Sequence, residues 1–476
     1  MKLAVRDEPP LEFAGGARHV DPRHGIADYG PADAASTAPR TIRAGIVGPP
    51  ASIQGLRGWL DQCRQPIAAK DSRLGRLFVP FPGFDTTAGF HSTLVWDSRL
   101  ERPIRDRDLR RLEGLKPQDA VRAAVELYAA ELEILDEEPG CNVILIARPD
   151  MLPDAPEPEA DPAVPRKKAP AAGPADDFRA LLKATAMRYS RPIQIIRRTT
   201  WDPGFKPPGR EKRRLQDEAT RAWNLHTAVY YKAGGIPWRL PRDPADIDTC
   251  YVGITFYRSS DKQTLQTSIA QVFNQRGDGV IVRGAPAKVS RNDRQPHLAG
   301  GDAESLLTEA LRRYRSEHGN LPARAVLHKT SSYTPDELTG FRTAADDADI
   351  TTLEMLWLPA SDPARLFRPA QHPPLRGTLL SIDGKRHVLY TRGSVPFYGT
   401  YPGMYIPSPL PFRLVETESS PEYLADEILA LTKMNWNQTQ LDARQPITIR
   451  TADQVGEILR HLGPHDRPQG RYAFYM

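Results

Sequence analysis

Cysteine is scarce in this chain. There are three in 476 residues, Cys63, Cys141 and Cys250, far apart and with no CxxC pair. A disulfide framework needs a larger paired set and a structural zinc site needs clustered ligands, so neither organises this protein. Long apolar runs are missing too: no stretch approaches the roughly 18 residues that cross a bilayer. The opening MKLAVRDEPPLEF has no apolar core and no small-residue cleavage site, so no secretory leader is read there, and a reducing cytoplasm fits. The first strand candidate is followed by neither GxGxxG nor GxxxxGK[ST], which weakens a dinucleotide or P-loop reading. Charge of one sign is not in strong excess: Lys and Arg total 64 against 59 Asp and Glu, net +5. The placement of cations therefore matters more than their number.

What is present is an ordinary globular composition, 40% hydrophobic and 26% charged, with a surplus of proline at 46 residues. Residues 1–40, rich in Gly, Pro and Asp, read as an extended arm. A strand over Ile42–Val47 runs through Gly48-Pro49-Pro50 into a helical pattern ending near Cys63. An amphipathic helix follows at 116–136, with Val121, Ala124, Val125, Tyr128, Leu132 and Leu135 on one face. The apolar run Cys141–Ala147 suits a strand covered on both faces. Residues 149–175 are Pro- and Ala-rich with little to bury, and read as a disordered insertion or long loop. The pattern resumes with a helix at 177–189, a strand at 193–196 and a long helix at 215–232, closed by Gly234-Gly235 and Pro237. Such alternation predicts a parallel sheet flanked by helices over 41–244. A second α/β unit over 245–476 has strands near 251–257, 279–283, 323–328, 353–358 and 386–391. Its helices fall near 302–317, 421–433 and 451–462.

One helix carries a local conflict. Arg179 and Lys183 stand four apart at 177–189, where like charges repel and cations near the first turn oppose the dipole. An anion between them removes both costs, whereas a solvated basic face tolerates them. Gln194 lies in the next strand, and Lys232 sits in the last turn of the helix after it. This ordered set resembles the guide-binding residues of the Argonaute MID domain. The segments QDEATRAWNLHTAVYYKAGGIPWRL (216–240), TRGSVPFYGTYPGMYIPSPL (391–410) and LTKMNWNQTQ (431–440) resemble short prokaryotic Argonautes, as do the LEF…DPRHG…YGP opening and FPGF (81–84).

That resemblance covers almost the whole chain and implies a Rossmann-like MID domain followed by an RNase H-like PIWI domain. It implies that a guide, RNA by family behaviour, is held by its 5′-phosphate at Arg179, Lys183, Gln194 and Lys232. Mg2+ would be bound there through the terminal carboxylate of Met476, and the hydrophobic ending RYAFYM suits a buried terminus. It further implies a single-stranded DNA target, defence against plasmids or phages, and a heterodimer with an APAZ-bearing effector of TIR, SIR2 or nuclease type.

An active PIWI domain holds two divalent ions on carboxylates. The first belongs in the strand YVGITFY, where this chain has Thr255, and the second after ARAVLHK, where it has Thr330. No cutting is therefore expected, and the sequence reading takes Asp453 as a surface residue early in a helix. Arg258, Lys329, Arg392, Lys433, Asn435 and Asn437 are expected to line a nucleic-acid channel, while Trp436 reads as core. Two rivals stay open. One is a guided nuclease drawing on Asp248, Asp261, Asp278 or Asp453. The other is a Rossmann-type small-molecule protein.

Overall fold

The computed structural model describes residues 1–152, 177–206, 215–242, 247–259, 264–273, 279–281, 284–403, 406–441, 443–463 and 466–476. The Pro-rich stretch at 149–175 lies almost wholly outside these residues.

The N-terminal arm is more structured than its composition implies. It contains β1 (Lys2–Val5), the short hairpin strands β2 (Leu11–Glu12) and β3 (Arg18–His19), and helix α1 (Pro22–Tyr29). Asp21 nucleates α1: its carboxylate accepts from Arg23 N at 2.7 Å and His24 N at 3.2 Å, and Pro22 occupies the first helical position.

The first lobe runs β4 (Thr41–Gly48), α2 (Pro50–Gln62), β5 (Thr93–Val95), β6 (Glu101–Pro103), α3 (Asp106–Arg110), α4 (Pro117–Glu137), β7 (Val143–Ala147), α5 (Phe178–Ala186), β8 (Ile193–Ile196) and α6 (Glu218–Lys232). Its sheet has the order β5-β4-β7-β8 with β6 also on β4, and every pairing is parallel. All five residues of β7 are buried, as a strand sandwiched between helix layers requires.

The second lobe comprises β9 (Thr249–Arg258), β10 (Leu265–Phe273), β11 (Gly279–Ile281), β12 (Lys288–Val289), β13 (Pro296–His297), α7 (Gly300–His318), β14 (Arg324–Lys329), α8 (Pro335–Asp347), β15 (Thr352–Trp357), β16 (Thr378–Ser381), β17 (Arg386–Leu389), β18 (Leu410–Glu416), α9 (Pro421–Leu431) and α10 (Ile447–Leu459). Nine strands form one mixed sheet in the order β1-β16-β17-β18-β15-β14-β9-β10-β11. Only β9, β14 and β15 run parallel, and the arm strand β1 adds antiparallel to β16 at the edge. On β9, Cys250, Val252 and Ile254 face the cluster under α7 and α8, so Tyr251, Gly253 and Thr255 face α10.

Gly253 permits that approach. A Cβ there would lie 2.3 Å from Thr448 O on α10. Gly253→Ala should cost about 1–3 kcal/mol because main chain must yield. The check is a lower midpoint in denaturant at an unchanged slope.

One apolar cluster passes through both lobes, joining Trp223, Tyr230 and Trp238 to Met434, Trp436 and the C-terminal Tyr472–Met476. Trp436 is core as expected: it stacks on Tyr231 at 4.7 Å between centroids and donates from Nε1 to Trp238 O at 3.1 Å.

Candidate nucleic-acid interface

The four residues singled out on the first lobe converge. α5 enters through an Asp177 cap on Arg179 N, which sends Arg179 and Lys183 toward the same place. Both donate to Tyr475 O, Lys183 Nζ at 2.9 Å and Arg179 Nη2 at 3.4 Å. From the end of α6, Lys232 Nζ donates to Ile193 O at 2.9 Å, Gln194 Oε1 at 2.5 Å and Met476 O at 3.1 Å. The last residues of the chain thus sit between α5, β8 and α6. Gln469 secures them by donating to Met187 O and Tyr189 O.

Lys183 and Lys232 are each only 2% exposed. Burial pushes both ammonium groups well below the usual lysine range. Arg179 and Lys232 add to the effect on Lys183, which only Asp177 opposes, and Arg179 adds to the effect on Lys232. No ion pair is made by any of the three cations among the described residues. Lys232 has used its three N–H groups on oxygens of the protein. Lys183 retains two and Arg179 four, so these two can still donate to a ligand. The pocket is a set of desolvated cations with no Asp or Glu side chain to match them among the described residues; the Met476 main-chain oxygen, a carboxylate if the terminus is free, lies 3.1 Å from Lys232.

Gln194 has a different part from the one expected of it. Its Oε1 orients Lys232 and its Nε2 donates to Ile195 O at 3.2 Å, so it positions the lysine. The sequence reading also missed the main-chain oxygens of Tyr475 and Met476, which no side-chain pattern can reveal.

The second lobe has a cleft where the parallel strands end. Thr255 on β9 and Thr330 just past β14 are neighbours, since Lys329 pairs with Ile254 and Thr330 N donates to Ile254 O at 3.1 Å. Asp453 comes from the middle of α10, not its first turn, and faces Thr255. Solvent reaches its carboxylate, yet protein encloses it on most sides. Burial raises it to about 6, against the Gln445 amide at 3.3 Å and a poorly aligned Thr255 hydroxyl. Asp248 cannot join it, because it sits before the other end of β9, held by Arg242 at 2.6 Å. Asp261 and Asp278 lie outside the described residues. Among the described residues no three His, Cys, Asp or Glu side chains are grouped to hold a metal.

No protein-family model matches this sequence, and no curated protein does. Solved structures do match. The chain is similar to Clostridium butyricum Argonaute bound to a guide DNA and a 19-mer target DNA, with a TM-score of 0.65 at 15% identity, over 97% of this chain and 53% of that one. It is similar to A. aeolicus Argonaute, with a TM-score of 0.58 at 14% identity over 98% and 54%. Drosophila Piwi gives 0.57 at 14% identity over 99% and 56%. The chain spans about half the length of each.

The fold is the Argonaute MID–PIWI fold.

In these terms the cation pocket lies in the MID lobe and is closed by the tail of the PIWI lobe. Three of the six expected channel residues are interior to PIWI and its arm. Lys329 is fully buried and bonds Glu337 at 2.9 Å, Ser331 Oγ at 2.8 Å and Ser332 O at 2.6 Å. Lys433, also buried, pairs with Glu8 at 3.0 Å and donates to Pro9 O. Asn435 is buried and shapes its own turn, its Oδ1 accepting from Asn437 N at 3.1 Å. Arg258 is exposed at the end of β9, and Arg392 and Asn437 are half-buried, so these three still reach solvent.

Among the described residues no helix is long and apolar enough to cross a membrane.

Proposed function

We propose that this chain binds a guide nucleic acid by its 5′-phosphate, presents it for pairing with a single-stranded target, and does not cut. The observation that carries the reading is the pair of buried lysines beside Arg179, none of the three cations being paired with an Asp or Glu side chain among the described residues. A terminal phosphate monoester brings nearly two negative charges and several acceptor oxygens, which suits the donors that Lys183 and Arg179 still have. The neighbouring structure of the Clostridium butyricum protein carries both a guide and a target strand, which supports the same reading.

Mg2+ suits this place on chemical grounds. The main-chain oxygen of Met476, a carboxylate if the terminus is free, would be the hard donor that holds it beside the phosphate, with phosphate and water oxygens completing its shell. When bound it would offset phosphate charge.

In the PIWI cleft the residues present do not suit a pair of catalytic ions. Two threonine hydroxyls and a lone Asp453 supply too little negative charge for a two-metal clamp. Output therefore belongs to another protein in this proposal: a separate subunit bearing an APAZ region and a TIR, SIR2 or nuclease effector. Target pairing would activate it inside the cytoplasm against invading DNA. An RNA guide and a DNA target belong to the same proposal.

The test uses the purified chain with labelled oligonucleotides. A 5′-phosphorylated guide should bind about 100-fold more tightly than its 5′-hydroxyl counterpart, the size expected for one or two charged hydrogen bonds. Equal affinities would reject the anchoring idea. Guide-dependent scission of a complementary strand with Mg2+ or Mn2+ would reject the claim that the chain does not cut.

A further inference from the structure

The N-terminal arm grips the end of the helix that carries Lys232. Asp33, near the end of the arm, is 3% exposed. Its Oδ1 accepts from the Tyr230 hydroxyl at 2.6 Å and its Oδ2 from Ile236 N at 3.0 Å. One donor lies in the last turn of α6 and the other just past Gly234-Gly235, with Lys232 between them in sequence, so a single carboxylate spans the helix terminus. The arm holds the following residues of the same loop as well. Ala32 N donates to Pro237 O at 3.2 Å, Glu12 N to Arg239 O at 2.8 Å, and Arg239 Nε to Glu12 at 2.7 Å.

The turn itself has no slack. Gly234 has φ 97°, a left-handed conformation that favours glycine. Gly235 N donates to Tyr230 O at 3.0 Å, and a Cβ on Gly235 would lie 2.3 Å from the Tyr230 ring. Tyr230 thus packs on the turn with its ring and is tied to the arm by its hydroxyl. Side chains two residues apart on a helix point about 200° from each other. Asp33 therefore holds α6 from the face opposite the Lys232 side chain and does not touch what Lys232 faces.

An acid is an unfavourable choice for this place. Arg40 Nη2 donates to Ala34 O at 2.9 Å, and no ion pair reaches Asp33 among the described residues. Burial raises the Asp33 carboxyl, although the Tyr230 hydroxyl and the Ile236 amide oppose it. A carboxylate buried on neutral donors lowers stability. Residues that break a local rule in this way collect at functional sites. What the carboxylate supplies is two acceptor oxygens at a fixed separation, one for each side of the helix terminus. Lys232 depends on that separation. Its Nζ reaches Ile193 O at 2.9 Å and Met476 O at 3.1 Å only while the end of α6 stays beside β8 and the C-terminal residues.

We infer that Asp33 is a positioning residue of the phosphate site. It acts through Tyr230 and the Gly234-Gly235 turn to hold the Lys232 ammonium, and through it the Met476 main-chain oxygen, where a 5′-phosphate is taken. The inference rests on the guide-binding reading.

The experiment compares 5′-phosphorylated and 5′-hydroxyl oligonucleotides of one sequence on the full chain and its variants, and reads the ratio of the two affinities. Asp33→Ala should lower the preference for the phosphorylated strand about 5- to 20-fold, part of what one charged hydrogen bond is worth, with 5′-hydroxyl binding unchanged. Tyr230→Phe keeps the ring on Gly235 and should lower the preference about 2- to 5-fold; this small change keeps the test decisive if Asp33→Ala folds poorly. Asp33→Asn should keep most of the preference, because its amide can accept from Ile236 N and donate to the Tyr230 oxygen. In a Lys232→Met background Asp33→Ala should add nothing, since an effect passed through Lys232 disappears with it. An unchanged ratio in both Asp33→Ala and Tyr230→Phe overturns the inference and leaves Asp33 a purely structural clamp. So does an equal loss for both strands, or a loss that adds in full to that of Lys232→Met. If the unaltered chain shows no preference for the phosphorylated strand, the guide-binding reading fails and takes the role of Asp33 with it.

Discussion

Lys183→Met should make the ligand-free protein more stable and a much poorer binder of 5′-phosphorylated strands. Lys183 is buried and its ammonium is pushed well below the lysine range by burial, Arg179 and Lys232. Holding that charge in the folded state costs stability. An apolar chain of similar length removes the cost, although Tyr475 O then loses a donor. The net gain at neutral pH should be about 1–4 kcal/mol, the usual range when a poorly matched buried charge gives way to an apolar group. The sign follows from linkage. The folded-state pKa lies below the unfolded one, so the unfolded chain holds more protons and stability rises with pH. The penalty is absent above the ordinary lysine value near 10.4 and grows as pH falls from there toward the depressed folded value. The advantage of the variant should therefore shrink as pH approaches about 10.5. Affinity for a 5′-phosphorylated strand should fall about 10- to 100-fold, and about 1,000-fold or more with Lys232→Met added. A 5′-hydroxyl strand should lose almost nothing. Denaturant midpoints against pH, with binding of the paired oligonucleotides, check both halves. A variant that is less stable and equally impaired toward both strands would mean that Lys183 is structural only.

Glu8→Ala should be the most damaging single change in the arm. Glu8 accepts from Arg376 at 2.8 Å and pairs with Lys433 at 3.0 Å, all three side chains being largely buried. Burial would raise its carboxyl, but Arg376 and Lys433 outweigh it and bring it below the ordinary glutamate value. Lys433 is lowered too, by burial and by Arg376, because two cations share one carboxylate. Removing Glu8 takes away the one carboxylate that pairs directly with both cations, at a cost of about 3–5 kcal/mol. That is a large part of the 5–15 kcal/mol typical of a folded protein. The stabilisation by Glu8 is fully present above the unfolded glutamate value near 4.3 and is lost as pH falls through the lower folded value. The destabilisation of Glu8→Ala should thus be constant near neutrality and diminish in acid. Release of the arm can be followed by proteolysis near residue 10 and by the melting midpoint. An unaltered midpoint would refute the latch.

Much of the architecture could be read from periodicity. The buried stripe of α4, the apolar β7 and the strand–helix alternation of the MID lobe were legible because burial imposes a repeat of 3.6 or 2 on local sequence. The pocket was legible because two cations four apart on one helix are locally unfavourable and ask for a reason. Other elements were missed. α8 is weakly apolar, and its signal, Thr334 capping with Glu337 three on, was present but unread. β16 and β18 are short or begin beside proline, and the neighbouring strands of the sheet define them more than their own residues do. The arm looked formless because β1 gains its hydrogen bonds from β16, far along the chain.

The errors among the channel residues share one cause. Lys329 and Lys433 looked like surface cations because their carboxylates, Glu337 and Glu8, are respectively in the first turn of the next helix and at the other end of the chain. By itself the sequence determined the order of strands and helices, the set Arg179, Lys183 and Lys232, and the lack of acid in the strand around Thr255. Only the tertiary structure decided which cations are already matched by an Asp or Glu side chain and which are not. The reason is that electrostatic balance is summed over neighbours within a few ångströms, and folding, not sequence adjacency, chooses those neighbours.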